Sequence, residues 1–177
     1  MYLTGMLDDR TLAKDEQEAK SKNRESWKFA WAMDVTDQER AKGKTEECGR
    51  AYSETEKKRF VIIDAPGHKS FVPHMIGGAA QADVAVMVIS ARKGEFEKGG
   101  QTREHALLAK TAGVRRLIVV INKMDDPTVE WSTERYQECI DKFKPFLRQV
   151  GFSVKEVQFM PISGLGGHNI RDRIAQR

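Results

Sequence analysis

The chain has 177 residues, with 30 basic and 26 acidic side chains, a net charge of +4, 40% apolar residues and 32% charged ones. That composition fits one soluble domain with a sizeable core and excludes an intrinsically disordered chain. The longest apolar stretches, 84–89 and 117–121, fall far short of the roughly 18 residues a membrane-spanning helix needs.

In chain order, residues 8–33 alternate charges such as Asp15, Glu16, Glu18, Lys20 and Lys22 around Leu12, Ala19, Trp27 and Trp31, which reads as an exposed helix. Asp34 to Gly49 lacks periodicity and is polar, so a long loop is expected. Alternation at 51–53 and 59–63 about the polar turn Glu54 to Lys58 predicts an antiparallel hairpin. Three apolar runs follow, 84–90, 117–121 and 157–162, separated by helical patterns at 101–112 and 132–150 that stop at Gly113 and Gly151. Strands alternating with helices imply an α/β fold with a mostly parallel sheet flanked by helices. Pro145, inside the second helical pattern, predicts a break or kink.

Neither a secretory signal nor a cysteine framework is visible. Met1 to Arg10 lacks a basic flank and an apolar core, and Cys48 and Cys139 stand far apart. These features predict a cytoplasmic protein with ordinary buried or half-buried thiols. Basic residues are interspersed with acidic ones, so charge defines no nucleic-acid patch.

In an open parallel sheet, ligands bind beyond the carboxyl ends of the strands. Three of those junctions are chemically loaded: D-A-P-G-H at 64–68, N-K-M-D at 122–125 and S-G-L at 163–165. Each alone also reads as a turn, since Asp, Asn, Pro and Gly are turn formers. Their order after consecutive strands, with 58 residues from Asp64 to Asn122 and 41 from Asn122 to Ser163, argues for one site.

In this order the three motifs resemble signatures of translational GTPases. The stretches D-A-P-G-H-K-S-F-V-P (64–73), I-G-G-A (76–79), S-A-R-K-G-E-F (90–96), G-G-Q-T-R-E-H-A (99–106) and I-N-K-M-D-D-P-T-V (121–129) are similar to the GTPase domain of eukaryotic class II peptide-chain release factors. The resemblance covers practically the whole chain. It implies a P-loop NTPase fold, GTP and GDP as ligands with Mg2+, and hydrolysis of GTP on the ribosome during translation termination. It also implies a class I release factor and the ribosome, including rRNA of the GTPase centre, as partners, with no membrane and no DNA. Rescue or elongation factor 1-alpha type GTPases, and a degenerate non-hydrolysing binding module, are the alternative readings.

Residue by residue, the resemblance gives Asp125 the guanine N1–H and exocyclic amine, a pairing adenine lacks. Asn122 holds the other edge, and the Lys123 stem covers one face of the ring. Ser163, Gly164 and Leu165 aim backbone N–H groups at the guanine carbonyl. Asp64 holds Mg2+ through water, the Gly67 N–H points at the terminal phosphate, and Thr45, in E-R-A-K-G-K-T (39–45), closes on the metal. His68 orients the attacking water. His74, His105 and His168 carry no comparable placement, and Met75 and Met87 read as packing residues.

The sequence contains no G-x-x-x-x-G-K-[ST] phosphate loop. Residues 1–177 are therefore expected to form a partial GTP-binding domain, a fragment whose first strand and phosphate loop are missing. The remaining sheet would carry a gap, and the chain alone would bind GTP weakly or not at all. By the resemblance, the two β-barrel domains that follow in the family are expected to lie outside these 177 residues, and E-F-E-K-G-G (95–100) looks about four residues shorter than the family's loop.

Overall fold

A computed structural model describes residues 9–21, 31, 39, 41, 45–98 and 100–173. Two compact units make up the chain, Met1–Gly78 and Ala79–Arg177. Among the described residues no helix is long and apolar enough to cross a membrane.

In the first unit, helix α1 spans Asp9–Ser21. Lys20 reaches Glu16 at 3.1 Å one turn away, while Asp15 and Ala19 are buried. The helix is thus not exposed all round, and Trp31, which the charge pattern placed in the same helix, lies buried in a turn. Of the expected loop 34–49, Glu39 and Ala41 are helical, and residues 34–38, 40 and 42–44 lie outside the described residues.

The hairpin forms as its alternation predicts. Strand β1 (Gly49–Glu54) pairs antiparallel with β2 (Arg59–Asp64), from Gly49 opposite Asp64 to Glu54 opposite Arg59. Thr55 closes the turn: its N–H donates to the Lys58 carbonyl at 2.8 Å, and its hydroxyl accepts from the Lys58 N–H at 3.1 Å.

A 3-10 turn (Lys69–Phe71) and helix α2 (Val72–Ala79) follow. Sequence periodicity does not announce α2, because Pro73, Gly77 and Gly78 are poor helix formers. Pro73 sits in the first turn, where its missing N–H costs nothing. Gly78 is required for packing: a Cβ there would stand 2.9 Å from Cys48 Sγ and 3.3 Å from Ile63 Cγ2, so only glycine lets α2 lie this close to β2.

The second unit is a parallel three-stranded sheet in the order β3 (Val84–Ser90), β4 (Arg116–Asn122), β5 (Gln158–Pro161). The hairpin forms a separate sheet, so the described strands fall into two sheets rather than one. Helices α3 (Gly100–Thr111) and α4 (Thr133–Val150) make the crossovers that parallel strands need. Met87 and Ile89 of β3 and Leu117, Val119 and Ile121 of β4 alternate onto one face, where they join Ala106 of α3 and Cys139, Ile140, Phe143 and Leu147 of α4 in one core. Met75 and Met87 are packing residues, as expected.

Helix α4 is capped at both ends by its sequence. The Ser132 hydroxyl accepts from the Arg135 N–H at 3.1 Å, and Gly151 adopts φ 96° while its N–H and that of Phe152 bond back to Arg148 and Leu147. Of the break or kink expected at Pro145, the break does not occur, and the helix runs through the proline. The proline removes the N–H partner of the carbonyl of Asp141, an exposed residue, and the buried stripe Cys139, Ile140, Phe143 and Leu147 holds both halves to the core.

Candidate functional site

The end of β4 and the loop after β5 meet through one side chain. Asn122 is half-buried, and its Oδ1 accepts from the Lys123 N–H at 2.7 Å and from the Gly164 N–H at 2.8 Å. Two N–H donors on one oxygen fix the amide orientation, so Nδ2 remains a donor. Gly164 is confined by this contact: a Cβ there would stand 3.3 Å from both Asn122 Oδ1 and Nδ2. Further bonds join the two tips, Met124 N–H to Ile162 O at 3.1 Å and Ile162 N–H to Ile121 O at 2.9 Å.

Lys123 takes φ 62°, a left-handed conformation that costs a lysine about 1 kcal/mol. The turn it opens carries two aspartates with opposite surroundings. Asp126 is buried and fully used: Oδ1 accepts from the Thr128 N–H at 2.9 Å and hydroxyl at 2.6 Å, and Oδ2 from Arg92 at 2.6 Å. Those Thr128 and Arg92 bonds lower its pKa to about 2. Asp125 is exposed and has no hydrogen-bond or ion-pair partner among the described residues. Of the adjacent carboxylates, Asp125 is the one available to a ligand.

The S-G-L loop differs in detail from expectation. Ser163 is fully buried, its N–H donates to the His168 carbonyl at 3.1 Å, and its hydroxyl accepts from the Gly166 N–H at 3.0 Å. With the Gly164 N–H on Asn122, two of the three expected backbone donors are engaged internally, because the loop must be pinned to β4. Leu165, 64% exposed, keeps an N–H with no partner among the described residues. His168 closes the loop through its backbone and sets its ring edge-on to Trp131 at 6.3 Å.

The phosphate-end residues belong to the first unit. Asp64 ends β2 half-buried, and burial, then the charge of Glu39, push its pKa above the usual carboxylate range. Glu39 is fully buried, and its Oε1 accepts from the N–H groups of Glu46 at 2.8 Å and Glu47 at 3.0 Å, which fixes the backbone just after the half-buried Thr45. Gly67 is exposed beside the fully buried Pro66. His68 caps the 3-10 turn by accepting the Ser70 N–H on Nδ1 at 3.3 Å, so a neutral ring carries its proton on Nε2. His74 is structural: its Nδ1–H donates to the Glu46 carbonyl at 2.7 Å, and its own carbonyl accepts from the Cys48 thiol at 3.1 Å. Cys48 and Cys139 are free thiols whose pKa values burial raises.

Sequence reasoning missed Glu39, Arg92, Glu95 and Arg135. Arg135 is buried on α4, donates to the Ala91 carbonyl at 2.8 Å, Glu138 at 2.8 Å and Glu97 at 2.9 Å, and lies over Phe96. Its only signal was an arginine three residues into the helix on the apolar stripe. A cleft of about 380 Å³ opens beside the 91–97 loop, lined by Ser90, Glu95, Glu97, Arg103, Lys142 and Phe143 among others, and does not include the N-K-M-D or S-G-L residues.

A sequence profile of the elongation factor Tu GTP binding domain matches residues 2–176. The chain belongs to this family. The parallel sheet flanked by helices is accordingly that of the translational GTPase fold. The eukaryotic peptide chain release factor GTP-binding subunit of Schizosaccharomyces pombe is 58% identical over 180 residues, covering 98% of this chain and 27% of the relative. Structures of sup35 complexed with GDP and with GMPPNP superpose with TM-scores of 0.65 and 0.66 at 44% identity, covering 98% of this chain and 34% of theirs. The chain thus spans about a quarter of the length of the curated relatives it matches.

Proposed function

We propose that the chain is guanine-nucleotide-binding sequence of a eukaryotic peptide-chain release factor, part of a GTP-binding domain whose whole protein hydrolyses GTP on the ribosome in the cytoplasm and works with a class I release factor. The observation that carries this reading is the unpartnered Asp125 carboxylate beside an Asn122 amide whose oxygen is already used. A carboxylate accepts both guanine donors, whereas adenine offers the opposite pattern and leaves the charge unpaired. The Asn122 Nδ2 is a donor suited to the purine N7 acceptor, and the free Leu165 N–H suits the guanine carbonyl. The resemblance to release-factor GTP-binding subunits supplies the biological setting.

For the phosphates, Asp64, Gly67, His68 and Thr45 keep the roles their motifs imply. Asp64 fits a hydrated Mg2+: it is an oxygen donor at a strand tip whose negative surroundings, including Glu39, favour a divalent cation. Bound there, the ion would neutralise charge developing on the phosphates. His68, with Nδ1 engaged by the backbone, presents Nε2 for positioning a water rather than for covalent chemistry.

Ribosome-stimulated GTP hydrolysis by the intact protein, with and without a class I release factor, tests the reading. His68→Ala should slow turnover by at least about a hundredfold while nucleotide affinity changes less than about twofold. A protein that binds guanine and adenine nucleotides alike, or a His68→Ala variant with unaltered turnover, would contradict it. An intact protein that binds no nucleotide and hydrolyses none would favour the degenerate binding module.

A further inference from the structure

The turn that carries Asp125 is held by a second loop to which no motif assigns a role. After β3 the chain continues through residues 91–98, with turns at 93–98, and overlaps the 95–100 stretch that looks short for the family. The Ala91 N–H extends the parallel pairing by donating to the Asn122 carbonyl at 2.8 Å, so the two loops start in register. Beyond that bond, Arg92 and Glu95, three residues apart, face Lys123 and Asp126, also three apart. Arg92 bonds Asp126 at 2.6 Å, Glu95 bonds Lys123 Nζ at 2.7 Å, and Arg92 bonds Glu95 at 3.0 Å. The result is an alternating chain of charge, Lys123–Glu95–Arg92–Asp126, that spans the turn from its first side chain to its last and leaves Asp125 outside it.

We propose that Glu95 is a positioning residue for guanine recognition: it holds the Lys123 ammonium so that the lysine stem is set in place before a purine arrives. This rests on the reading of N-K-M-D as the base site. A free lysine side chain loses rotamer entropy when it is fixed, and a partner already in place removes part of that loss from the binding step. The carboxylate is itself anchored, since its other oxygen bonds Arg92 and Arg92 is tied to the buried Asp126, so Glu95 does not follow the lysine but fixes it. Its pKa, lowered to about 2 chiefly by Lys123 and then by Ser90, keeps the partner charged at any physiological pH. The loop itself is braced from behind, because Glu97 accepts from the Gly94 N–H at 2.7 Å and from Arg135 at 2.9 Å.

The pairing predicts a particular pattern of specificity. Lys123 covers a face of the ring and reads no edge, so loss of Glu95 should weaken GDP, IDP and XDP by the same factor, unlike loss of Asp125, which changes the order among them. Glu95 is 39% exposed at its side chain, so Glu95→Gln removes the charge without opening a cavity. An exposed ion pair of this kind is worth up to about 1 kcal/mol, which converts to about a threefold to fivefold change in Kd.

The test is a double-mutant cycle in the intact protein, with GDP dissociation constants from fluorescence of an N-methylanthraniloyl analogue in wild type, Glu95→Gln, Lys123→Met and the double variant. The expected result is a threefold to fivefold loss for Glu95→Gln alone, equal for GDP, IDP and XDP, and no further loss when it is added to Lys123→Met. Equal affinities in wild type and Glu95→Gln would overturn the proposal, and so would a loss that persists undiminished on the Lys123→Met background, which marks a merely structural role. A wild-type protein that binds GDP no better than ADP would instead remove the base-site reading, and the proposal with it.

Discussion

Replacing Arg135 by alanine should cost about 3 kcal/mol of folding stability, although the residue is charged and absent from every motif. The figure follows from what the guanidinium touches. Its Nε is the donor to the carbonyl of Ala91, a fully buried residue, so truncation leaves that carbonyl without its partner, at about 1–3 kcal/mol. The bonds to Glu97 and Glu138 matter less, because those carboxylates are 43% and 42% exposed and rehydrate when the arginine is gone. Loss of the guanidinium that lies over the Phe96 ring, 5.5 Å from its centroid, adds about 1 kcal/mol. Arg135→Met, which keeps an apolar stem of similar length and loses the donors and the charge over Phe96, should lie between wild type and alanine. Urea titration followed by circular dichroism measures the difference, and the thermal midpoint should fall by about 6–12 °C for a chain of this size. An Arg135→Ala variant within about 0.5 kcal/mol of wild type would refute the reasoning, since the Ala91 carbonyl would then be satisfied without the arginine.

Leu147→Ala, at a fully buried position in the α4 stripe, should destabilise by about 3 kcal/mol in the same urea assay. Gly151→Ala forces a Cβ into φ 96° and should cost about 1 kcal/mol, visible as a lower urea midpoint with an unchanged slope. The native pKa values of Asp126, Glu95 and Glu138 lie near 2, below the 3.8 and 4.5 of the unfolded chain, so they contribute stability that is full above about pH 5 and lost as pH falls toward 2. Urea midpoints measured between pH 7 and pH 3 should therefore decline with acid, and less steeply in Asp126→Asn; a flat profile in wild type would contradict the assignment of these ion pairs.

Much of the second unit was legible because its pattern is local. Apolar runs at 84–90 and 117–121 and glycine stops at 113 and 151 each follow from a few neighbouring residues, and all appear where expected. Pro145 does not break the helix because the buried residues Cys139, Ile140, Phe143 and Leu147 hold it to the core on both sides of the proline, which one-dimensional periodicity does not reveal. Helix α2 was hidden for the opposite reason: Gly77 and Gly78 lower helix propensity, yet the close approach of Gly78 to Cys48 and Ile63 is a tertiary contact. In the candidate site the motifs named Asn122, Lys123, Asp125 and Ser163, but not the division of labour between Asp125 and Asp126. That division is made by Arg92 and Thr128, and Arg92 lies 34 residues upstream. Glu39 was equally invisible, since its buried carboxylate is explained only by backbone donors at Glu46 and Glu47.

The reading of Asp125 as the guanine-selecting carboxylate is tested most directly by exchanging one acceptor for a donor at that position. In the intact protein, Asp125→Asn should weaken GDP binding by about a hundredfold and strengthen XDP by a comparable factor, because xanthine replaces the amine with a carbonyl that an amide can serve. Asp126→Asn, at the neighbouring buried carboxylate, should leave the order of preference unchanged. Unaltered GDP preference in Asp125→Asn, or a crossover produced by Asp126→Asn instead, would contradict the assignment.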